Sequence, residues 1–386
     1  MVLARTAQKK DEKPMDNATE KTTFLQPLLF TYGQLPESYG YKLTSKETEF
    51  LRLWEAVLRL VRPKLLSRAA ARTGRKPYDP TDILAVRMVM LHWGLPTLSS
   101  AIGFLESAGN VRAITGMGRV PSEATVCRRT AELDGLIDFD AALGAAYAEY
   151  GAGRTVANLS VDSTVVQACE KPAPKAQAPA RPSGPKAAAK ARRKRIRTEY
   201  ERDYGDVSRY VRTLDDRCSR TGKRNSRGDM EWFVGYKAHM AVDDSGVPVS
   251  SIVTGARVHD SKAAAPLLRT AGERCRFLYA LMDGGYSSAA IADCARRLGA
   301  VPIIDFKADR RGRKRPMAPD EAERYRKRTT VERSNGEMKE CFLPAKLRSR
   351  GFRARFDLRL AVLLLALKRM RLALLAGRAA ASGEAA

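Results

Sequence analysis

Apolar positions in the first 150 residues recur at three- and four-residue intervals, which is typical of amphipathic helices. The stretch TSKE (44–47) has the pattern of a capping box ahead of one such run. Thr97 and Ser122 stand where helix caps stand, at the start of two further runs. We therefore predict a flexible tail over 1–22 and an all-helical domain over 23–150.

From residue 156 the pattern changes to short apolar or alternating runs, the first of them β-branched, which indicate strands. The predicted strands are VANLSVDSTVV (156–166), EWFVGYKAHMAVDD (231–244), VPVSSIVTG (247–255), CRFLYALMD (275–283) and VPIIDF (301–306). The second and third form a hairpin, and helical runs separate the later ones. The fold class is therefore α/β, a mixed five-stranded sheet flanked by helices over 151–375, with a flexible tail over 376–386.

A long insertion over 167–230 follows the first predicted strand. Its stretch 171–197 contains ten basic residues and no acidic one, with Pro and Ala between them. Such a composition cannot form a core, so we predict a mobile basic loop. It is either a solvated linker or a phosphate-contacting element. Its candidate contacts are Arg192, Arg193, Lys194 and Arg195.

The charge balance narrows the choice of partner. The chain has 69 Lys and Arg against 43 Asp and Glu, a formal net charge of +26, which indicates a nucleic acid or an anionic membrane surface. The amino-terminal residues lack the pattern of a signal peptide, and Lys368, Arg369 and Arg371 interrupt the most apolar stretch (358–376), so we predict a core-facing helix there and no membrane partner. Six scattered cysteines and three histidines exclude common zinc-finger spacings and fit reduced thiols in the cytoplasm.

Three carboxylates stand where chemistry can occur. Asp162 lies on the first predicted strand, Asp283 ends the fourth, and Glu332 lies on a helix predicted over 325–342. At about 100° per residue, Glu332 shares one face of that helix with three other side chains, namely Tyr325, Arg328 and Lys339. Carboxylates within a basic protein suit hard cations such as Mg²⁺, which also bind substrate phosphates.

Each of these assignments has an ordinary structural alternative. Asp162 and Asp283 could be turn or cap residues, and Glu332 could be a surface ion-pair partner. Asp305, at the end of the fifth predicted strand, is the rival third carboxylate. His259 and Asp260 resemble part of a metal-dependent phosphohydrolase site, but three histidines are too few for that chemistry. We expect Asp260 or Ser261 to cap a helix instead.

Three further features have two interpretations. Trp232 could stack on an unpaired base, although we expect it to pack in the core. Arg128 and Arg129 lie on a helix predicted over 122–134, which resembles a DNA recognition helix or carries ordinary solvated arginines. The arginine-rich loop 307–315 is either a backbone-contact element or a solvated loop.

In their order along the chain, these motifs resemble the DDE transposases of bacterial insertion sequences. Tyr325, Arg328, Glu332 and Lys339 reproduce the spacing of that family's Y-R-E-K signature, and SVDSTVV and LMDGGYSS resemble its two aspartate segments. The resemblance implies an RNase H-like catalytic fold preceded by a helical domain that binds DNA ends. The long insertion after Asp162 departs from the common pattern.

The resemblance also implies roles. Asp162, Asp283 and Glu332 are expected to be catalytic and to bind two Mg²⁺ ions, for which Mn²⁺ can substitute, while Tyr325, Arg328 and Lys339 hold terminal phosphates. The expected reaction is cleavage at transposon ends followed by transfer of the freed 3′-OH into target DNA.

The expected partner is double-stranded DNA, as terminal inverted repeats and target. A homodimer is expected on the DNA ends, in a nucleoid-associated, cytoplasmic location in a bacterium. Two alternatives stay open, a nuclease of the same fold without strand transfer and a non-catalytic DNA-binding relic of a transposase.

Overall fold

The computed structural model describes residues 43–66, 78–174, 185–191, 206–224, 227–305, 312 and 316–382. The tail predicted over 1–22 lies outside these residues, as does most of the loop 307–315. The same holds for the four candidate contacts of the basic insertion, Arg192, Arg193, Lys194 and Arg195. Their roles stay predictions.

The first described region is helical, as predicted. Its helices are α1 (Ser45–Leu66), α2 (Pro80–His92), α3 (Leu98–Ser107), α4 (Gly109–Thr115), α5 (Glu123–Leu136) and α6 (Phe139–Tyr150). The predicted capping box is present, since Thr44 N–H donates to Glu47 Oε2 at 2.8 Å and Glu47 N–H donates to Thr44 Oγ1 at 3.2 Å. Thr97 caps α3 by accepting the N–H of Ser100 at 3.0 Å.

The second region is a mixed sheet. Its strands are β1 (Thr155–Gln167), β2 (Ser219–Arg224), β3 (Met230–Val242), β4 (Pro248–Gly255), β5 (Arg276–Met282) and β6 (Val301–Ile304). The main order is β4-β3-β1-β5-β6, in which β3 is antiparallel to β1 and β4 while β1, β5 and β6 run parallel. A hairpin of long strands followed by parallel crossovers is the RNase H-like arrangement, which confirms the predicted fold class.

The sheet has one strand more than predicted. Strand β2 lies inside the predicted insertion and pairs antiparallel with β3, from Ser219 opposite Gly235 to Arg224 opposite Met230. Its sequence SRTGKR has no alternation of apolar and polar residues because the paired segment extends away from the core. Hydrophobic periodicity therefore could not reveal it.

Helices cover the sheet and complete the fold. They are α7 (Val207–Thr213), α8 (Asp260–Arg274), α9 (Ala289–Arg297), α10 (Pro319–Tyr325), α11 (Thr329–Phe342) and α12 (Phe352–Ser382). Helix α11 packs against β1 and β3, and α8 packs against β4 and β3. The helix predicted over 325–342 is divided, because a 3₁₀ turn at Arg326–Arg328 joins α10 to α11.

The last helix, α12, lies between the helical region and the sheet, in contact with α1, α5, α6 and β4. The prediction of a core-facing helix is confirmed by its buried side chains, among them Leu360, Leu363, Leu364 and Leu367. The helix continues to Ser382, into the tail predicted over 376–386, because the Ala- and Leu-rich sequence there favours helix. The buried apolar residues of both regions form one continuous core, and the division into two domains stays a prediction.

A buried ion pair joins α2 to α12. Arg87 Nη1 lies 3.2 Å from both carboxylate oxygens of Asp357 and from Ser349 Oγ. Its Nε and Nη2 donate to Thr130 Oγ1 at 3.2 and 3.1 Å. The Arg87 and Asp357 side chains have no exposed surface, so this pair ties the helical region to the final helix.

Within the described part of the chain, no helix is long and apolar enough to cross a membrane.

Candidate active site

Strands β1 and β5 bring the two aspartates together. Val161 is paired with Met282 in the parallel register; Asp162 is the next residue of β1, and Asp283 is the first residue after β5. Asp283 caps a 3₁₀ turn, since its Oδ1 accepts the N–H of Gly285 at 2.8 Å. A Cβ at position 285 would stand 2.8 Å from that oxygen, so glycine leaves room for the carboxylate to turn back over the loop. Asp283 is thus a turn cap, as in its structural alternative, and also a neighbour of Asp162.

Helix α11 is held against the sheet by its apolar face. Val331 and Met338 are fully buried, and Ser334 Oγ donates to the carbonyl of Gly246 at 2.9 Å. This docking places Asn335 at β1, where its Nδ2 donates to Asp162 Oδ2 at 3.1 Å. Glu332, three residues earlier, stands beside the same strand with 49% of its side chain exposed.

Arg328 lies among the three carboxylates. Its Nη2 forms an ion pair with Glu332, and its Nη1 lies 3.8 Å from Asp162 Oδ1. Burial opposes its charge, but Tyr325 and the carboxylates of Asp162, Glu332 and Asp283 hold the pKa of the guanidinium above its usual value. Nη1 is buried and has no hydrogen-bond partner among the described residues. The guanidinium thus occupies a position that favours a cation.

One guanidinium does not balance the charge at Asp162. Burial raises the pKa of the Asp162 carboxyl to about 6, and repulsion from Asp283 and Glu332 adds to that rise. The backbone N–H of Ser163 and the Arg328 charge oppose it. The ionised carboxylate is therefore unfavourable unless more positive charge arrives.

The donor set fits a hard divalent cation. Carboxylate oxygens are the ligands that Mg²⁺ prefers, and Asn335 Oδ1, buried beside Asp162, has no hydrogen-bond partner among the described residues. However, no group of three or more His, Cys, Asp or Glu side chains in the described ranges is close enough to hold an ion. The three carboxylates are thus neighbours around Arg328 and not a formed ligand cage, and their metal-binding role stays a prediction.

Tyr325 and Lys339 also lie close to the carboxylates. Tyr325 ends α10, with the Arg328 guanidinium 5.7 Å from its ring centroid, and Asp305 and Asp283 are close enough to raise the pKa of its hydroxyl after burial has done so. Lys339 lies on α11, where burial and the charge of Lys223 lower the pKa of its amine. The four signature residues therefore gather at one site, although a 3₁₀ turn interrupts their helix.

Asp260 is a site neighbour that the sequence did not reveal. Its Oδ1 accepts from Lys237 Nζ at 2.8 Å and from Ser163 Oγ at 2.7 Å, and His239 Nδ1 lies 3.8 Å away. The expectation that Asp260 or Ser261 caps a helix was wrong, because His259 is the cap residue of α8 and its Nδ1 accepts the N–H of Ser261. The sequence signal that could have revealed this contact was Lys237, a charged residue at a position of β3 that faces inward.

Asp260 braces the chain beside Asp162 through Ser163. Burial would raise the pKa of the Asp260 carboxyl, but Lys237 holds it below its usual value. The carboxylate is therefore ionised, and Lys237 balances its negative charge inside the fold. The buried Tyr286 lies close to Asp260, Asp162 and Asp283, whose charges add to burial in raising the pKa of its hydroxyl.

The remaining candidates differ in how they lie relative to this cluster. Asp305 directly follows β6 as Asp283 follows β5, and its N–H donates to the carbonyl of Met282 at 3.2 Å, so the rival carboxylate lies next to Asp283 and near Tyr325. Arg128 is exposed on α5, whereas Arg129 pairs with Glu132 at 3.0 Å and donates to the carbonyl of Tyr78. Trp232 is 58% exposed, so the expectation that it packs in the core was wrong.

The sheet has carboxylates at adjacent strand positions and a helix packed over them. This arrangement places the protein in the RNase H-like fold class. The family described as "Transposase DDE domain" matches residues 158–367, a span that includes all three candidate carboxylates and more than half of the 386-residue chain. The chain belongs to this transposase family.

Other similarities are distant. No curated protein has a significantly similar sequence. A solved structure described as "piggyBac transposase synaptic complex with hairpin DNA" aligns over 92% of this chain and 76% of its own, at 10% identity and a TM-score of 0.42. That likeness is too weak to carry an argument about the site.

Proposed function

We propose that this protein is a transposase that cleaves DNA at the ends of a mobile element and joins the freed 3′-OH to target DNA. The observation that carries the proposal is the gathering of Asp162, Asp283 and Glu332 around Arg328, at the carboxyl end of β5, within the span that matches the transposase family. Phosphoryl transfer requires a place where negative charge is concentrated and then compensated, and this site has that property.

Asp162, Asp283 and Glu332 are the residues that would hold divalent ions, which are in general use in this family. Two Mg²⁺ ions, or Mn²⁺ in their place, would supply activation of the attacking oxygen and stabilisation of the leaving one. Asn335 keeps Asp162 in place through its amide N–H. Arg328 neutralises the carboxylates, and it becomes available to a DNA phosphate when other cations take over that task.

The residues around the carboxylates suit the DNA backbone. Lys223 is close enough for its charge to act on Lys339, and the Tyr325 ring lies 5.7 Å from the Arg328 guanidinium. Together they would bind the phosphates at the cut end, while the exposed Arg128 of the helical region is available for a more distant contact. We propose terminal inverted repeats and target DNA as partners, and a homodimer that holds two ends.

The test uses duplexes carrying the DNA that flanks the gene of this protein. With Mg²⁺ or Mn²⁺ the protein should nick the element ends and, with added target DNA, form joined products. EDTA should abolish both reactions. Asp283→Asn should reduce cleavage at least a thousandfold and leave DNA binding, measured by gel shift, within about threefold.

The matched variants Glu332→Gln and Asp305→Asn test which residue is the third catalytic carboxylate. Glu332→Gln should abolish cleavage and Asp305→Asn should preserve it; the reverse result would contradict the assignment. Cleavage without joining would instead support the nuclease alternative. DNA binding without cleavage under any metal would support the non-catalytic relic.

A further inference from the structure

Strands β2 and β3 form a ribbon that extends past the sheet. Strand β1 pairs with β3 only from Gly235 onward, and β4 begins its pairing at Tyr236. The residues 230–234 of β3 therefore pair with β2 alone among the described strands. We call the paired segments 219–224 and 230–234 the ribbon.

Two large apolar side chains are exposed on the ribbon. Trp232 is 58% exposed and Met230 is 46% exposed, although an indole that serves only stability is usually mostly buried. Gly222 stands opposite Trp232 in the register. A Cβ there would be 2.6 Å from Met230 Cε and 3.1 Å from the indole ring, so the bare glycine lets the ring lie across the partner strand.

The surroundings of this indole are cationic. The Arg220 guanidinium lies 4.3 Å from its ring centroid. Strand β2 carries two further cations: Arg224 stands opposite Met230 on the face of Trp232, and Lys223 stands opposite Glu231 on the other face. An exposed aromatic ring among cations is the pattern of surfaces that bind single-stranded nucleic acid, where bases stack on rings and the cations follow the backbone.

The ribbon also lies next to the candidate active site. Lys223 and Lys339 are close enough that the charge of Lys223 disfavours the protonated form of Lys339, and Asp162 acts on Lys339 in the opposite direction. A DNA strand held by Lys339 at the carboxylates would therefore reach the ribbon within a short distance.

We propose that Trp232 stacks on an unpaired base of the DNA bound at the active site, with Arg220 and Arg224, on the same face of the ribbon, on the flanking phosphates. The proposal rests on the function proposed above. The base must be unpaired because base faces inside a duplex are covered by their neighbours. DNA fits this surface better than a protein partner does, since the cations of β2 would need an acidic partner whereas any DNA end supplies phosphates.

Tryptophan fluorescence offers a direct test. The chain has three tryptophans; Trp54 is buried, and Trp93 packs among Phe50, His92 and Phe104. The full-length protein with Asp283→Asn, in EDTA, is titrated with a blunt duplex and with the same duplex carrying a few unpaired nucleotides at its end. The unpaired end should quench emission, and that quenching should be absent in Trp232→Ala and retained in Trp93→Phe.

Binding affinities provide the second readout. In Trp232→Ala the ratio of affinities for the unpaired end and the blunt duplex should fall about 5- to 100-fold. The affinity for the blunt duplex itself should change less than twofold. Trp232→Phe should keep part of the preference. Because the side chain is exposed, the variants should fold normally, and circular dichroism checks this.

Two outcomes would overturn the proposal. One is an unchanged preference for unpaired ends in Trp232→Ala. The other is a dimer that forms without DNA and that Trp232→Ala separates in light scattering, since the ribbon would then be a contact between copies of the chain. In either case metal-dependent cleavage that is lost in Asp283→Asn leaves the proposed function intact, whereas a protein that binds no DNA at all would contradict both.

Discussion

Two arginines of this protein lie among carboxylates, in opposite circumstances. Arg87 is fully buried, contacts both oxygens of Asp357, and has Thr130 and Ser349 as further partners. Arg328 is partly exposed, stands among three carboxylates, and its buried Nη1 has no hydrogen-bond partner in the part of the chain described. The first cluster is closed and balanced one to one, and the second is open and has an excess of negative charge.

The difference separates a structural ion pair from a site prepared for a ligand. A buried pair with every donor used stabilises one arrangement, and breaking it leaves an uncompensated charge. A cluster with too few cations and unused polar atoms stores unfavourable free energy that a bound cation can remove. Four predictions test this comparison, in order of decreasing expected effect.

The largest effect is expected at the closed cluster. Arg87→Ala leaves Asp357 buried and unpaired, so the free energy of unfolding should fall by about 3–5 kcal/mol, measured by urea denaturation. The double variant Arg87→Met with Asp357→Leu removes both charges and should recover most of that loss. A loss below about 1 kcal/mol in the single variant would mean that the pair does not tie α2 to α12.

The same substitution should have opposite signs at the two clusters. Asp357→Asn removes the partner of Arg87 and should destabilise the protein. Asp162→Asn should stabilise it by about 1–3 kcal/mol at pH 8 in EDTA, because burial raises the pKa of Asp162 to about 6 in the folded state.

The pH dependence fixes the sign of that gain. Unfolded Asp162 ionises with a pKa near 4, so the folded protein loses stability relative to the unfolded chain as pH rises from about 4 to 6. An asparagine does not ionise, and the advantage of Asp162→Asn should be complete above pH 6 and absent below pH 4. Unfolding curves at both ends of that window measure it, and a gain independent of pH would contradict the explanation.

A smaller effect is expected at Asn335, the amide that holds Asp162 and has an unused oxygen. Asn335→Leu keeps the size of the side chain and removes both polar atoms, so Mg²⁺ or Mn²⁺ affinity should fall about 10- to 100-fold in calorimetric titration. Ser99→Ala, at an exposed position of helix α3 in the helical region, is the control and should bind metal normally. Equal affinities in all three proteins would remove Asn335 from the site.

The smallest effect is expected for Arg328→Gln in the absence of metal. Arg328 forms an ion pair with Glu332, whose side chain is 49% exposed. The free energy of unfolding in EDTA should therefore change by less than about 1 kcal/mol. The rise in melting temperature on adding Mg²⁺ should be larger than in the unsubstituted protein, because the metal then meets uncompensated carboxylates. A smaller rise would show that Arg328 assists metal binding and does not compete with it.

The elements whose buried residues recur at a regular spacing could be predicted from the sequence. The strand that carries Asp162 is a β-branched run, the strand before Asp283 is a short apolar run, and α11 has helical periodicity, so these elements were found. Strand β2 was not found, because a ribbon that leaves the core has no buried side to mark it. For the same reason the exposure of Trp232 could not be read from its neighbours, which are those of an ordinary buried strand.

Contacts between distant segments were also beyond the sequence. The Asp260 cluster depends on the face of β3 to which Lys237 points and on the packing of α8, and neither leaves a local pattern. Arg87 lies in a helix that is apolar all round, where an arginine would ordinarily be placed at the surface. Its partner is 270 residues away along the chain.

That separation has a consequence for the protein while it is being made. The ribosome adds about 5–20 residues per second, so Asp357 is synthesised some 15–50 s after Arg87. During that interval the newly made helical region lacks both the counter-charge of Arg87 and the apolar surface of α12. It is therefore complete only once α12 has been synthesised. A chain released before residue 352 would present the unfinished region to chaperones and proteases.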